Sequence, residues 1–245
     1  MSLDPTPLSI RATDVTVDYE VRGDAKGGLR ARLVDRSASR TTLVRAVRGV
    51  TFDVHEGEAV GLIGFNGSGK STLLSALAGV LPVTSGEVLV ADEPRLMGVG
   101  AALLAQASGY RNIRLGCLAL GMTADEADDR IDELVGFTGL GEAIHRPLNT
   151  YSSGMRARVH FVLATAITPK ILLIDEALAV GDRRFRATSR QRIEEIIAGA
   201  GTLLMVNHAL PELRSYCTRA LWLDEGLIRM DGPIDDVIEA YSTEG

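Results

Sequence analysis

Residues 64–72 read GFNGSGKST, and no other stretch narrows the possible folds as far. Gly64, Gly69, Lys70 and Ser71 fill every required position of the pattern G-x-x-x-x-G-K-[ST]. The apolar run AVGLIG precedes it, and STLLSALAGV, predicted as a helix ending near Leu81 and Pro82, follows. A strand that turns through glycines into a helix points successive backbone N–H groups inward, and the helix N-terminus adds its positive end. Such a turn holds phosphate. Gly64, Asn66, Gly67, Ser68, Gly69, Lys70, Ser71 and Thr72 are therefore the candidate nucleotide-binding residues. Lys70 reaches the β- and γ-phosphates, and Ser71 offers its hydroxyl to Mg2+.

The segment ILLIDE at 171–176 complements this loop. Its four apolar residues predict a buried strand, and Asp175 at the strand end is a second candidate for Mg2+, directly or through water. Glu176 stands next, where a carboxylate orients and deprotonates an attacking water. A positioned general base contributes ~10²–10⁴-fold in rate.

Elsewhere the pattern alternates between strand and helix. LSIRATDVTVDYEV and LVRAVRGVTFDVHEGEAVGLIG read as strands, as does GEVLVA at 86–91. From about 100 to 168 the period becomes helical, in RNIRLGCLAL, in TADEADDRIDELVGF and after Ser153. The acidic run 125–133 predicts a solvated helix face rather than a metal site. ILLID, TLLMVN, LWLDE and LIRMD restore the strand pattern, which predicts an α/β core with a largely parallel sheet and a helical insert. Residues 20–45 outrun a simple hairpin and carry Arg22, Lys26, Arg30, Arg32, Arg36, Arg40 and Arg45. They read either as a solvated loop or as a basic element facing anionic headgroups or a partner.

A net charge of −6 and an aromatic content of 4% argue against a nucleic-acid partner, which needs a basic face or a stacking platform. Cys117 and Cys217 stand apart, without C-x-x-C spacing, as reduced buried thiols do. No apolar run approaches the ~18 residues of a membrane span, and MSLDPTPLSI lacks a signal-peptide pattern. The expectation is a soluble cytoplasmic chain that reaches a membrane only through a partner.

The stretch YSSGM at 151–155, ahead of ILLIDE, resembles the signature loop of ABC ATPases, usually LSGGQ. Ser152 and Gly154 match its serine and second glycine, while Tyr151, Ser153 and Met155 depart from it. ALAVGD at 177–182 follows as the D-loop does, with Asp182 at the aspartate position. Asn207 and His208 close TLLMVN where the family places its switch histidine, and Tyr19 resembles the aromatic that stacks on adenine. His55, His145 and His160 match no motif and receive no role. The resemblance covers residues 8–240 and implies one nucleotide-binding domain, 1–245. In it a P-loop, RecA-like core (about 8–99 and 169–245) carries an antiparallel β subdomain, a helical subdomain (about 100–168) and the basic inserted loop (about 20–45). It also implies an ATPase using ATP and Mg2+, with Glu176 and His208 as its catalytic residues. Two copies would face each other head to tail, each P-loop's ATP closed by Ser152, Ser153 and Gly154 of the other copy.

YSSGM, EALAVGD and the long insert after Tyr19 together resemble ATPases of polysaccharide exporters of the O-antigen, teichoic-acid and cell-wall galactan type. LMGVGAALLAQASGYRNI resembles the corresponding stretch of that subfamily; the usual Q-loop glutamine is missing near Val99 and Gly100, and Gln106 is not given its role. The length matches the short form, without a C-terminal carbohydrate-binding domain. The implied partners are a homodimer mate, two copies of a membrane permease and, through it, a lipid-linked polysaccharide, at the cytoplasmic face of the cell membrane. Alternative readings are the ATPase of an importer or drug exporter, which predicts LSGGQ and a Q-loop glutamine, and a soluble ABC ATPase of translation or DNA repair.

Overall fold

The computed structural model describes residues 6–22, 41–97, 103–175 and 183–244. Contacts divide the chain into two compact units, one of residues 1–91 and 206–245, the other of residues 92–205.

In the first unit, strands β1 (Leu8–Arg22) and β2 (Thr41–His55) pair antiparallel, and β4 (Ser85–Val90) pairs antiparallel with the other edge of β1. The two long strands run into both ends of the predicted 20–45 insert, and residues 23–40, with Arg30, Arg32 and Arg36, lie outside the described residues. A second group of strands holds β3 (Ala59–Ile63) beside β8 (Arg219–Asp224), parallel, and β8 beside β9 (Leu227–Pro233), antiparallel. Strand β8 is apolar and buried through Ala220, Leu221, Trp222 and Leu223, as a strand covered on both faces must be. Strand β9 alternates exposed and half-buried, as an edge does. Helix α1 (Lys70–Leu77) follows β3 and buries Leu73, Leu74 and Leu77. It is shorter than STLLSALAGV suggested, because Gly79 turns the chain out of the helix at a φ of 68°. Helices α6 (Leu210–Tyr216) and α7 (Ile234–Glu244) complete this unit.

In the second unit β5 (Arg95–Met97), β6 (Ile171–Asp175) and β7 (Thr202–Val206) are neighbours in that order, with β5 and β6 parallel. Helices α2 (Gly109–Ala119), α3 (Ala124–Thr138) and α4 (Ser153–Ala164) pack around Ile113, Cys117, Ile131, Leu134, Ile144, Val159 and Leu163, and α5 (Arg183–Gly199) follows β6 in the chain. Helix α3 buries Ala127, Ile131, Leu134 and Thr138, one stripe at helical spacing, and its acidic residues face solvent. Thr123 and Glu126 form a full capping box at its start. Among the described residues no three His, Cys, Asp or Glu side chains are grouped to hold a metal, and no helix is long and apolar enough to cross a membrane.

Candidate nucleotide-binding site

The loop between β3 and α1 is built by close backbone approach. A side chain on Gly64 would lie 2.0 Å from the Leu223 carbonyl oxygen of β8, and one on Gly69 would lie 2.2 Å from that of Ala46 in β2. Gly69 also sits at φ 103° as the N-cap of α1, a left-handed conformation that favours glycine. Gly67, at φ 83°, has nothing within 4 Å of the same construction, so the loop's inner packing is tight while its outer turn is open. Phe65, Asn66, Gly67 and Ser71 are exposed, Thr72 is half-buried and Ser68 is buried. Among the described residues the Ser68 hydroxyl has no hydrogen-bond partner.

Lys70 is 8% exposed, and its Nζ donates to the carbonyl oxygens of Gly64 (2.7 Å) and Phe65 (2.8 Å). Two carbonyls of its own loop thus accept from the ammonium. A phosphate oxygen carries charge as well, and an ammonium bonds it more strongly than it bonds a neutral carbonyl. The backbone of this chain fits a phosphate group: the cradle is closed by protein where glycine is required and open where a ligand would lie.

Tyr19 is 46% exposed on β1 and pairs with Val44, two residues before the Ala46 whose carbonyl faces Gly69. Asn207 and His208 follow β7 directly; His208 is exposed, and Asn207 fixes the turn by donating to Glu212 at 2.5 Å and accepting from the Ala209 N–H at 2.8 Å.

In the second unit Asp175 ends β6, half-buried after four buried residues. Glu176 and Asp182 lie outside the described residues, as do Val99 and Gly100. Ser152 is the N-cap of α4, its hydroxyl accepting from the Met155 N–H at 3.2 Å. Ser152, Ser153 and Gly154 are all exposed, and a side chain added at Gly154 would meet nothing within 4 Å. On either side of them the side chains turn inward. Tyr151 is 4% exposed and donates its hydroxyl to the Ala143 carbonyl at 2.7 Å, while burial pushes its pKa up. Met155 packs against the same helical cluster. The departures from LSGGQ at Tyr151 and Met155 are thus anchors of the loop, and Ser152 and Gly154 are what it presents.

The family model described as ABC transporter matches residues 47–179. The chain belongs to this family. A Listeria innocua protein named teichoic acids export ATP-binding protein TagH is 41% identical over 96% of this chain and 70% of its own length. A Staphylococcus epidermidis protein of the same name is 32% identical over 96% of this chain and 88% of its own. The chain spans 58% of a third, from Listeria monocytogenes, which is 41% identical over 80% of this chain. Among solved structures, a dimeric ATP-binding cassette bound to ADP and Pi superposes with a TM-score of 0.67, at 21% identity over 92% of this chain and 98% of that one. An ATP-binding subunit of an ABC transporter reaches 0.69 at 24% identity over 97% and 95%. These two show the fold, and with it the α/β P-loop architecture expected from the sequence.

Two supporting residues of the second unit carried no recognisable sequence signal. Asn112, 3% exposed, accepts from the Leu104 N–H at 2.7 Å and donates to the carbonyls of Leu104, Ala107 and Ser108, fixing the segment before α2. Gly109 makes room for Tyr151, since a side chain there would lie 2.5 Å from the phenol oxygen. The role of Gly109 is visible only once distant residues are brought together, and that of Asn112 only once the local turn before α2 is built.

Proposed function

We propose that this chain is the ATP-hydrolysing subunit of an exporter that moves a lipid-linked polysaccharide across the cytoplasmic membrane. The observation that carries the reading is the phosphate loop, with Lys70 held on two carbonyls beneath an open turn. Relatives named for teichoic acid export, matching 96% of the chain, support the transport class. Two copies would dock on two copies of a permease at the cytoplasmic face, sandwiching two ATP molecules head to tail. One nucleotide-binding domain then comprises a RecA-like core (8–99 and 169–245) and a helical subdomain (100–168).

In this reading Tyr19 stacks on adenine. The backbone of residues 64–70 and the Lys70 ammonium bind the phosphates, and Thr72 lines the start of the helix. Ser152, Ser153 and Gly154 close over the γ-phosphate in the facing copy, helped by the N-terminus of α4. Ser71 and Asp175 would hold Mg2+, which neutralises charge on the phosphates. Glu176 takes the proton of the attacking water, His208 contacts the γ-phosphate, and Asp182 contributes from the D-loop. Closure by ATP and opening after hydrolysis shift a dimer equilibrium through differential binding.

The test is Glu176→Gln in the purified protein. The variant should bind ATP and accumulate as a dimer while hydrolysis falls at least ~100-fold. Turnover at the wild-type rate would remove Glu176 from its role, and loss of ATP binding in the wild type would remove the whole reading.

A further inference from the structure

We infer that Tyr241, on helix α7, is a positioning residue for the phosphate loop, acting through Phe65. The inference rests on the reading that residues 64–72 bind nucleotide. Phe65 is 43% exposed, so burial alone does not fix it. Its ring packs on Tyr241 with centroids 5.1 Å apart and planes at 44°. Tyr241 in turn meets Trp222 edge-on, at 5.5 Å and 83°. Trp222 is 2% exposed on β8, and the next residue, Leu223, supplies the carbonyl that approaches Gly64. One strand therefore provides both the floor of the loop and the anchor of the ring that holds its first side chain. Arg229 adds a second tie, lying 4.5 Å over the Trp222 ring and forming an ion pair with Glu244 near the end of α7.

The backbone of Phe65 matters because its carbonyl, with that of Gly64, holds the Lys70 ammonium. Phosphates must draw the lysine from these acceptors while the loop keeps its shape. A clamped Phe65 has its ordering cost met before nucleotide arrives; a released one leaves that cost to binding. Tyr241 thus tunes nucleotide affinity without touching nucleotide, and α7 is linked to the occupancy of the loop.

The experiment measures ADP affinity and ATPase kinetics on the full chain. Tyr241→Ala should raise the ADP Kd and the ATP KM about three- to tenfold, the scale of an aromatic pair, with kcat unchanged. Tyr241→Phe, which keeps the ring, should restore wild-type values. Because the chain has a single tryptophan, emission from Trp222 reports on the contact. It should change on ADP addition in wild type and Tyr241→Phe, and not in Tyr241→Ala. Phe65→Ala, at an exposed position that does not threaten folding, should weaken ADP binding as much, and the double variant no further. Wild-type affinity in Tyr241→Ala, or simple additivity of the two alanine variants, overturns the inference alone. If Tyr241→Ala does not fold, an unchanged ADP Kd in Phe65→Ala overturns it. Absence of ADP binding by the wild type overturns the nucleotide reading and the inference together.

Discussion

Tyr151 and Cys217 illustrate how burial sets the behaviour of single side chains here. The Tyr151 hydroxyl satisfies the Ala143 carbonyl from a buried position. Tyr151→Phe removes this bond and leaves the carbonyl with the Arg146 N–H at 3.1 Å as its donor, so stability should fall by about 1 kcal/mol, measurable by urea unfolding. Because Ser152 is the next residue and caps α4, the same variant should also weaken the proposed ATP-dependent dimerisation. ADP affinity, which the proposal sets at residues 64–72 of the other unit, should stay unchanged. Cys217 is 3% exposed, and burial raises its pKa to about 12; Cys117 is fully buried and raised for the same reason. Thiolate is the reactive form, so neither should be alkylated by iodoacetamide at pH 8 until the chain is unfolded, as peptide mass spectrometry would record.

Among the elements, α3 and α4 carry the clearest consequences. Thr123→Ala removes the capping box of α3 and should cost about 1 kcal/mol, read from the unfolding midpoint. Helix α4 holds His160, whose Nδ1 is buried with no hydrogen-bond partner among the described residues and whose pKa burial lowers. The folded chain then binds fewer protons than the unfolded one below the ordinary histidine value of about 6.5. Stability should be full above that pH and fall as acid titrates the unfolded histidine. His160→Gln should flatten the dependence of the melting temperature between about pH 5.5 and 7.5. Such elements were legible in the sequence for a local reason. The helical period of α3 with its solvated acidic face, and the glycine positions of the phosphate loop, each state their physics within a few residues. Tyr151 read only as a departure from LSGGQ because its partners, Gly109 and Ala143, lie on other elements. Phe65 was invisible as a contact for the same reason, Tyr241 being near the far end of the chain.

At the scale of the whole molecule, nucleotide should act as a folding ligand. ADP at a hundred times its Kd should stabilise the chain by about 2.7 kcal/mol, and Lys70→Ala should abolish the shift in a thermal scan. The two compact units differ in what they depend on. The first carries the phosphate loop and its supports. The second presents Ser152 and Gly154 on a helix end with open space before it. Gly154 lies in the first turn of α4, where alanine suits a helix better by up to about 1 kcal/mol, and none of the described residues stands in the way of a methyl group. Nothing among the described residues of one copy therefore requires glycine at this position. If its job is to let a facing nucleotide approach, selection on residue 154 is exerted wholly by assembly. A substitution library scored for abundance should accept alanine there, and the same library scored for growth that depends on export should reject it.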